Sequence, residues 1–172
     1  MTTSDFLLVQ AQGVDLVAAA RVLFLEYADA IGTDLEYQGF PAELAALPDP
    51  YVPPMGALLI ALAGGEVAGC VALRPLDRCI GEMKRLYVRP RYRGSRLGLR
   101  LVEAVVDAAR SAGYDELRLD TLRDMSAAQA LYRRLGFVEI PAYNQAHLPG
   151  TRFYALGLAA SAPRPLRGPQ TG

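Results

Sequence analysis

The sequence predicts a single α/β (α+β) domain in which a mixed sheet of about six or seven strands is flanked by helices. Segments with the two-residue period of strands alternate with segments that have the 3.6-residue period of helices. A strand–helix–strand run near the centre predicts a right-handed crossover and therefore a pair of parallel strands. The chain has 172 residues, of which 52% are hydrophobic, and this is enough for one sizeable core.

The first half of the chain predicts strands around one long helix. A short strand at 6–9 precedes a helix at 14–31, whose apolar residues recur at helical spacing and which ends before Gly32. Residues 37–54 contain five prolines and are predicted to form a loop around at most a short helix at 42–47. Strands at 57–63 and 67–73 are joined by a tight turn at Gly64 and Gly65, and a third strand at 81–88 ends before Pro90.

The second half begins with an amphipathic helix at 97–112, which has an apolar face that includes Leu97, Leu101 and Val105 and which ends at Gly113. The strand that follows, 116–119, is predicted to pair in parallel with strand 81–88. A helix at 125–135, closed by Gly136, precedes two final strands at 137–140 and 151–158. The Pro- and Gly-containing residues 159–172 are predicted to be a disordered tail, so the domain spans 1–158.

Composition argues against several classes of partner. Acidic and basic residues balance at 18 each, so net charge predicts neither a nucleic-acid nor a membrane partner. There is no apolar run of membrane-spanning length and no basic, apolar leader, so we expect a cytoplasmic protein. With one histidine, no zinc site is expected, and Cys70 and Cys79 are predicted to be buried free thiols.

The charges are nevertheless sorted along the chain. Acidic residues dominate before Arg74, whereas the stretch 84–100 has seven basic residues and no acid. Those basic residues are Lys84, Arg85, Arg89, Arg91, Arg93, Arg96 and Arg100. This sorting indicates one anion-binding region in a neutral protein.

The turn between strand 81–88 and helix 97–112 is the strongest candidate for that region. The N-terminus of a helix has unpaired N–H groups and a partial positive charge, which attract phosphate. Gly94 and Gly98 allow close backbone approach, Ser95 is suited to capping the helix, and nearby arginines supply further donors. The alternative is a solvated basic surface. Neither the P-loop nor the Gly-x-Gly-x-x-Gly pattern is present.

Residues 93–98, Arg-Gly-Ser-Arg-Leu-Gly, resemble the phosphate turn of the GNAT superfamily of N-acetyltransferases, Arg/Gln-x-x-Gly-x-Gly/Ala. The resemblance includes residues 82–90, 119–122 and 130–137, and it covers about 58–158. Arg96 departs from the pattern, because it stands where the first of the two final glycines usually lies. If that position requires a positive φ or very close approach, arginine costs stability or cofactor affinity.

The resemblance implies that acetyl-CoA is the co-substrate, with no metal, and that the two parallel strands splay apart around its pantetheine arm. It also implies a set of residues that contact the cofactor. These are Leu86, Tyr87, Val88, Arg91, Arg93, Gly94, Ser95, Arg96, Leu97, Gly98, Thr121, Ala128 and Tyr132. Tyr132 matches a tyrosine that protonates the leaving thiolate, a step that a phenol can perform, although a core aromatic is the alternative.

The other proton transfer would fall to Glu82, because an amine must lose a proton before it attacks. Alternation along the strand places Glu82, Lys84 and Leu86 on one face, with residues 83, 85 and 87 on the other. An alternative for Glu82 is a structural carboxylate paired with Lys84 or with a neighbouring strand.

The resemblance places the wall of the acceptor site in the helix and loop before the sheet. Glu26, Tyr37 and Phe40 there, together with Tyr143, are the candidate substrate-binding residues. The excess of acid in this region would favour a cationic amine. A solvated helix and loop surface is the alternative for each single carboxylate.

Three hypotheses follow. The first is acetyl transfer to a small-molecule or peptide amine by direct attack in a ternary complex, since neither cysteine lies in a site-like context. The second is a non-catalytic acyl-CoA-binding regulatory module, supported by Arg96. The third, a nucleic-acid-binding domain, ranks last because the chain is neutral. The sequence does not determine the oligomeric state; a homodimer is one option, because dimers are common among proteins of this type.

Overall fold

A computed structural model describes residues 5–158. In chain order, the helices and strands are β1 (Phe6–Gln10), α1 (Gly13–Ile31), α2 (Phe40–Ala46), β2 (Ala57–Ala63), β3 (Glu66–Pro75), β4 (Ile80–Val88), α3 (Leu97–Ser111), β5 (Glu116–Thr121), α4 (Ser126–Arg134), β6 (Val138–Ile140) and β7 (Arg152–Gly157). Short 3-10 turns lie at Glu36–Gln38 and Pro90–Tyr92. The predicted tail at 159–172 lies outside the described residues.

The strands form one mixed sheet in the order β1-β2-β3-β4-β5-β7-β6. Antiparallel neighbours make up the sheet except at its centre, where β4 and β5 run parallel and α3 connects them. The predicted mixed sheet of about six or seven strands has seven, and its flanking helices and central crossover are confirmed. A crossover of this kind brings the end of β4 and the start of α3 to the carboxyl edge of the parallel pair.

The parallel pair separates soon after it begins. Its three paired positions end at Glu82 and Arg118, although β4 continues to Val88 and β5 to Thr121. We call the point of separation the fork, and define it as residues 82–84 of β4 and 118–120 of β5. Beyond the fork, the backbones of two central strands face an opening rather than each other.

A hydrophobic cluster lies on each side of the sheet. On the α3 face, Leu97, Leu101 and Val105 of the predicted apolar stripe are buried against the sheet. On the α1 face, Leu23 and Phe24 are fully buried against β2 and β3. Each such side chain contributes about 1.5–3 kcal/mol when it leaves water, so these two layers stabilise the sheet around the fork.

A β-bulge interrupts β4 and corrects one prediction. Cys70 pairs with Tyr87 but Ala72 pairs with Lys84, so Arg85 and Leu86 together oppose a single residue of β3. Arg85 has φ 58°, a left-handed conformation. The alternation therefore reverses: Arg85 joins Glu82 and Lys84 on the α1 face, and Leu86 packs on the α3 face. The prediction that Leu86 shares a face with Glu82 and Lys84 is wrong because strict alternation does not survive a bulge.

Smaller differences concern the ends of elements and one thiol. The short helix in the proline-rich segment begins at Phe40, two residues before the predicted start, and β5 extends to Thr121. Cys70 is buried as predicted, and burial raises the pKa of its thiol. Cys79 is exposed, so the prediction of burial is wrong for this residue. It lies in the turn that precedes β4, and the apolar residues before and after it in the sequence belong to different elements, so they do not bury it together.

Candidate active site

The turn that leads into α3 has the predicted open helix terminus, with a different arrangement of side chains. The residue that caps the helix is Arg96, with φ 65° and no capping hydrogen bond from its side chain. Ser95 does not cap the helix as predicted; its Oγ donates instead to the carbonyl oxygen of Tyr92, at 2.5 Å. No acidic residue lies in the first turn of α3. The unpaired N–H groups at this terminus are therefore left for an anion.

The arginines of this turn have separate environments. Arg93 lines the large groove described next, and its Nε donates to the carbonyl oxygen of Val88 at 3.2 Å. The side chain of Arg91 forms an exposed ion pair with Glu66 at 2.8 Å. Arg96 is exposed. The structure thus brings Arg93 to the groove, while Arg91 is held by an acid of β3.

A groove of about 590 Å³ runs from this turn to the fork. Leu86, Tyr87 and Val88 of β4 form one wall, the start of α4 with Ala128 forms a second, and the end of α1 from Tyr27 to Ile31 forms a third. Gly98 lies in its lining, where a Cβ would come 3.8 Å from Leu131 Cδ2. A side chain at this position would fill the groove rather than collide with the protein, so glycine keeps the groove open.

A small cavity of about 20 Å³ lies at the fork and adjoins the groove, with which it shares Tyr27, Leu86 and Met125. Polar and apolar residues from four elements line it: Tyr27, Met83, Lys84, Arg85, Leu86, Leu119, Asp120, Thr121, Met125 and Tyr132. A space of this size holds roughly one small group or one water molecule. The large groove and the polar α1 face therefore meet at one confined point.

Tyr132 of α4 is at that point. The residue is only 4% exposed, and its ring lies 5.7 Å from that of Phe137 and 6.1 Å from that of Tyr154. Burial, with smaller contributions from Tyr27 and Asp120, raises the pKa of Tyr132 above its ordinary value. The phenol therefore keeps its proton at neutral pH, so it can give up a proton but does not act as a base.

Glu82 is buried on the α1 face at the start of the fork, and its two oxygen atoms have separate partners. Oε2 lies 2.7 Å from Arg74 Nε, and Oε1 accepts a hydrogen bond from Tyr143 at 2.9 Å. Burial and the neighbouring Glu82 carboxylate raise the pKa of Tyr143. The sequence left open whether a structural Glu82 would pair with Lys84 or with a neighbouring strand. The structure shows the second arrangement, an ion pair with Arg74 of β3, and adds a hydrogen bond from Tyr143 in the β6–β7 connection.

A second buried carboxylate holds the bulge. The guanidinium of Arg85 binds both oxygens of Glu43 at 3.1 and 2.5 Å and donates to Gln38 Oε1 at 2.9 Å. The ring of Phe40 lies 5.1 Å from Arg85 Cζ. This network ties the segment 36–46 to the strand that borders the fork.

The four candidate substrate-binding residues fall in different places. Tyr37 lines a second small cavity beside the fork, and Tyr143 contacts Glu82. Phe40 is buried beneath Arg85. Glu26 forms an ion pair with Arg89, at 2.7 Å, rather than lining a described cavity.

Three residues that sequence reasoning did not select line the fork. Tyr27 follows Glu26 in α1 and points to the sheet, where burial raises the pKa of its phenol. Lys84 and Asp120 face each other across the two strands, with 3.9 Å between Nζ and Oδ1. Alternation along the strand already placed Lys84 on the same face as Glu82, so Lys84 could have been selected as a site residue from the sequence.

Within residues 5–158, no helix is long and apolar enough to cross a membrane. The cytoplasmic location, the homodimer and the lack of a nucleic-acid partner stay predictions.

Comparisons with known proteins agree on a family. A family model described as "Acetyltransferase (GNAT) family" matches residues 25–137. An uncharacterized N-acetyltransferase of Schizosaccharomyces pombe is 37% identical over 142 residues, which cover 81% of this chain and 86% of that protein.

Solved structures agree on the fold. An acetyltransferase from Streptococcus agalactiae has a TM-score of 0.73 at 24% identity, covering 89% of this chain and 98% of its own. A putative acetyltransferase from Salmonella typhimurium, solved with its cofactor acetyl-CoA, has a TM-score of 0.64 at 20% identity and covers 91% of this chain and 96% of its own.

Proposed function

Since the chain belongs to the acetyltransferase (GNAT) family and is an acyltransferase, we propose that it moves the acetyl group of acetyl-CoA to a primary amine by direct attack in a ternary complex. One observation carries this proposal. The strands β4 and β5 part at the fork, so the long groove between β4, α1 and α4 meets a small polar cavity that Lys84, Asp120 and Tyr132 line. Two reactants can therefore meet there without a covalent enzyme intermediate.

The residues of the groove fit a long phosphorylated thioester. The open terminus of α3 and Arg93 would hold the pyrophosphate, and the backbone of residues 86–88 would pair with the amide-containing arm. Gly98 keeps that path clear. When bound, the thioester supplies an activated acetyl group. The bulge at Arg85 and Leu86 interrupts the strand ladder, and we propose that one of its N–H groups binds the acetyl oxygen.

Tyr132 is proposed as the residue that gives a proton to the departing sulfur. A phenol with a raised pKa is a weak acid, but the same burial destabilises a thiolate and so increases its demand for a proton. The hydroxyl would therefore donate a hydrogen bond that becomes a proton transfer as the sulfur leaves.

Glu82 remains the proposed acceptor of the amine's proton. Its contact with Tyr143 offers a route for that proton. The phenol can pass its own proton to the carboxylate while it accepts the proton of the attacking amine. Arg74 holds the carboxylate in place during this exchange.

The test measures thiol release from acetyl-CoA in the presence of primary amines, with Tyr132→Phe and Glu82→Gln as variants. Each variant should lower kcat by about ten-fold or more and leave the dissociation constant for CoA within about two-fold. Unchanged rates in both variants would remove these residues from the mechanism. If CoA raises the melting temperature but no amine is acetylated, the non-catalytic acyl-CoA-binding module is the correct account.

A further inference from the structure

Asp120 is the second residue of β5 beyond the last position that pairs with β4, and Lys84 is the second residue of β4 beyond the same position. The pair is a loose one, with 3.9 Å between Lys84 Nζ and Asp120 Oδ1. The other carboxylate oxygen of Asp120, Oδ2, lies 3.4 Å from Asn144 Nδ2. Lys84 is buried and Asp120 is largely buried, with side-chain exposures of 6% and 11%. Asp120 thus has only long contacts in a confined place.

The other buried carboxylates of this face are held more closely. Glu82 has Arg74 at 2.7 Å and Tyr143 at 2.9 Å, and Glu43 binds Arg85 through both oxygens. A buried carboxylate is stable only when hydrogen bonds replace its lost water. Asp120 therefore has the most capacity left to accept a hydrogen bond from a ligand.

Polar atoms near Asp120 also lack partners. Among the residues that the structure describes, the buried side-chain oxygens and nitrogens without a hydrogen bond are Thr121 Oγ1, Asn144 Oδ1 and Thr151 Oγ1. Thr121 is 6% exposed and lines both small cavities that Asp120 lines. Thr151 lines the second of these, and Asn144 is the residue that contacts Asp120. Unpartnered buried groups are costly, so their clustering at one carboxylate indicates a ligand site.

The chemistry of this cluster matches a primary ammonium group. A carboxylate, an amide oxygen and hydroxyl oxygens all accept hydrogen bonds, whereas an alkylammonium presents three donors and one positive charge. The two cavities have volumes of about 20 and 10 Å³, which suits the head of an unbranched amine.

We propose that Asp120 binds the ammonium group of the acceptor, so that the acceptors are cationic alkylamines with an unhindered primary amine. This inference rests on the proposed function and names its substrate class. The negative charge of Asp120 selects cationic acceptors over uncharged ones. The acidic residues of α1 and the following loop are not required for this selection.

Lys84 is the natural competitor for the same carboxylate. Burial lowers the pKa of Lys84, Arg85 and Arg74 act in the same direction, and Asp120 and Glu82 oppose them. Its amine is also 3.4 Å from Gln38 Oε1, so it can stay on the β4 side when a ligand takes its place at Asp120. Removal of Lys84 should therefore strengthen the binding of a cationic acceptor.

The experiment compares Asp120→Asn and Lys84→Met, two variants of one ion pair, with acetyl-CoA and two acceptors. Butylamine is cationic at neutral pH, and 4-methoxyaniline is uncharged. Asp120→Asn should raise the KM for butylamine by about ten-fold or more and change that for 4-methoxyaniline by less than about three-fold. Lys84→Met should lower the KM for butylamine. CoA should raise the melting temperature of both variants as it does that of the wild type.

Opposite shifts in KM distinguish ligand binding from a structural ion pair. The proposal is overturned if both variants raise the KM for both acceptors alike, or if neither changes it. Loss of the CoA-induced rise in melting temperature in Asp120→Asn would also overturn it. Should that variant not fold, a higher KM for butylamine in Lys84→Met is enough to refute the proposal. If the wild type acetylates neither amine but binds CoA, the proposed function itself fails.

Discussion

Replacement of Arg96 by glycine should make the protein more stable and weaken its hold on CoA. Arg96 caps α3 with φ 65°, a conformation that costs an L-residue about 1–2 kcal/mol. Glycine adopts it freely but gains more entropy when unfolded, roughly 0.5–1 kcal/mol. The net effect is about 0.5–1 kcal/mol, or roughly 1–4 °C in Tm for a chain of this size. Loss of one guanidinium near the phosphates should raise the Kd for CoA by about five-fold.

Arg96→Ala is the matched control, because it removes the same charge and keeps the same unfavourable φ. Thermal unfolding of the two variants without ligand isolates the backbone, and calorimetric titration with CoA isolates the charge. We expect Arg96→Gly to be more stable than Arg96→Ala, with equal affinity for CoA. Equal melting temperatures for the two variants would refute the reasoning about strain at this position.

Two further changes test other parts of the site. Glu43→Gln should cost about 3 kcal/mol at pH 7, because it breaks a buried pair with Arg85. Burial raises the pKa of Glu43, but the hydrogen bonds and charge of Arg85 outweigh it, so the pKa lies below the ordinary value of this carboxyl. The stability that the ion pair contributes is therefore fully present above the ordinary pKa of this carboxyl and is lost as the pH falls through the folded pKa. Urea unfolding should show that the difference in unfolding free energy between wild type and Glu43→Gln narrows in acid. A difference that stays constant with pH would argue against the ion pair. Gly98→Ala should leave Tm unchanged or raise it, since alanine favours helix, but raise the Kd for CoA by about ten-fold because its Cβ enters the groove; unaltered affinity in a titration would show that the groove is not the CoA path.

The phosphate turn could be predicted from the sequence because it depends on neighbours in the chain. A strand, a glycine-containing turn and an amphipathic helix form a unit in which the helix terminus follows directly from residue order. We expected arginine at position 96 to be costly if that position required a positive φ, and Arg96 does have a positive φ. Ser95 was assigned to capping, but its hydroxyl is used within the turn.

The fork could be predicted only in part, because it depends on register between distant strands. Lys84 and Asp120 meet across two strands 36 positions apart in the chain, and local patterns do not fix such a pairing. The bulge was missed because a left-handed residue is usually signalled by glycine, and here it is Arg85, which Glu43 and Gln38 hold in place.

The α1 wall shows a different limit. Successive residues of a helix point about 100° apart, so a small error in the apolar stripe exchanges one neighbour for the next. Charge favoured Glu26 as a substrate-binding residue, but Tyr27 lines the fork and Glu26 binds Arg89. Charge along the sequence indicated the right region of the fold and not the right side chain.

The most direct test of the proposed function is initial-rate kinetics with acetyl-CoA and butylamine, with the products identified by mass spectrometry. The account predicts N-acetylbutylamine and free CoA in equal amounts. It also predicts reciprocal plots that intersect when both substrates are varied, because both must be bound at the fork before acetyl transfer. Parallel lines would indicate a covalent acetyl-enzyme, and thiol release without an acetylated amine would contradict acetyl transfer to an amine.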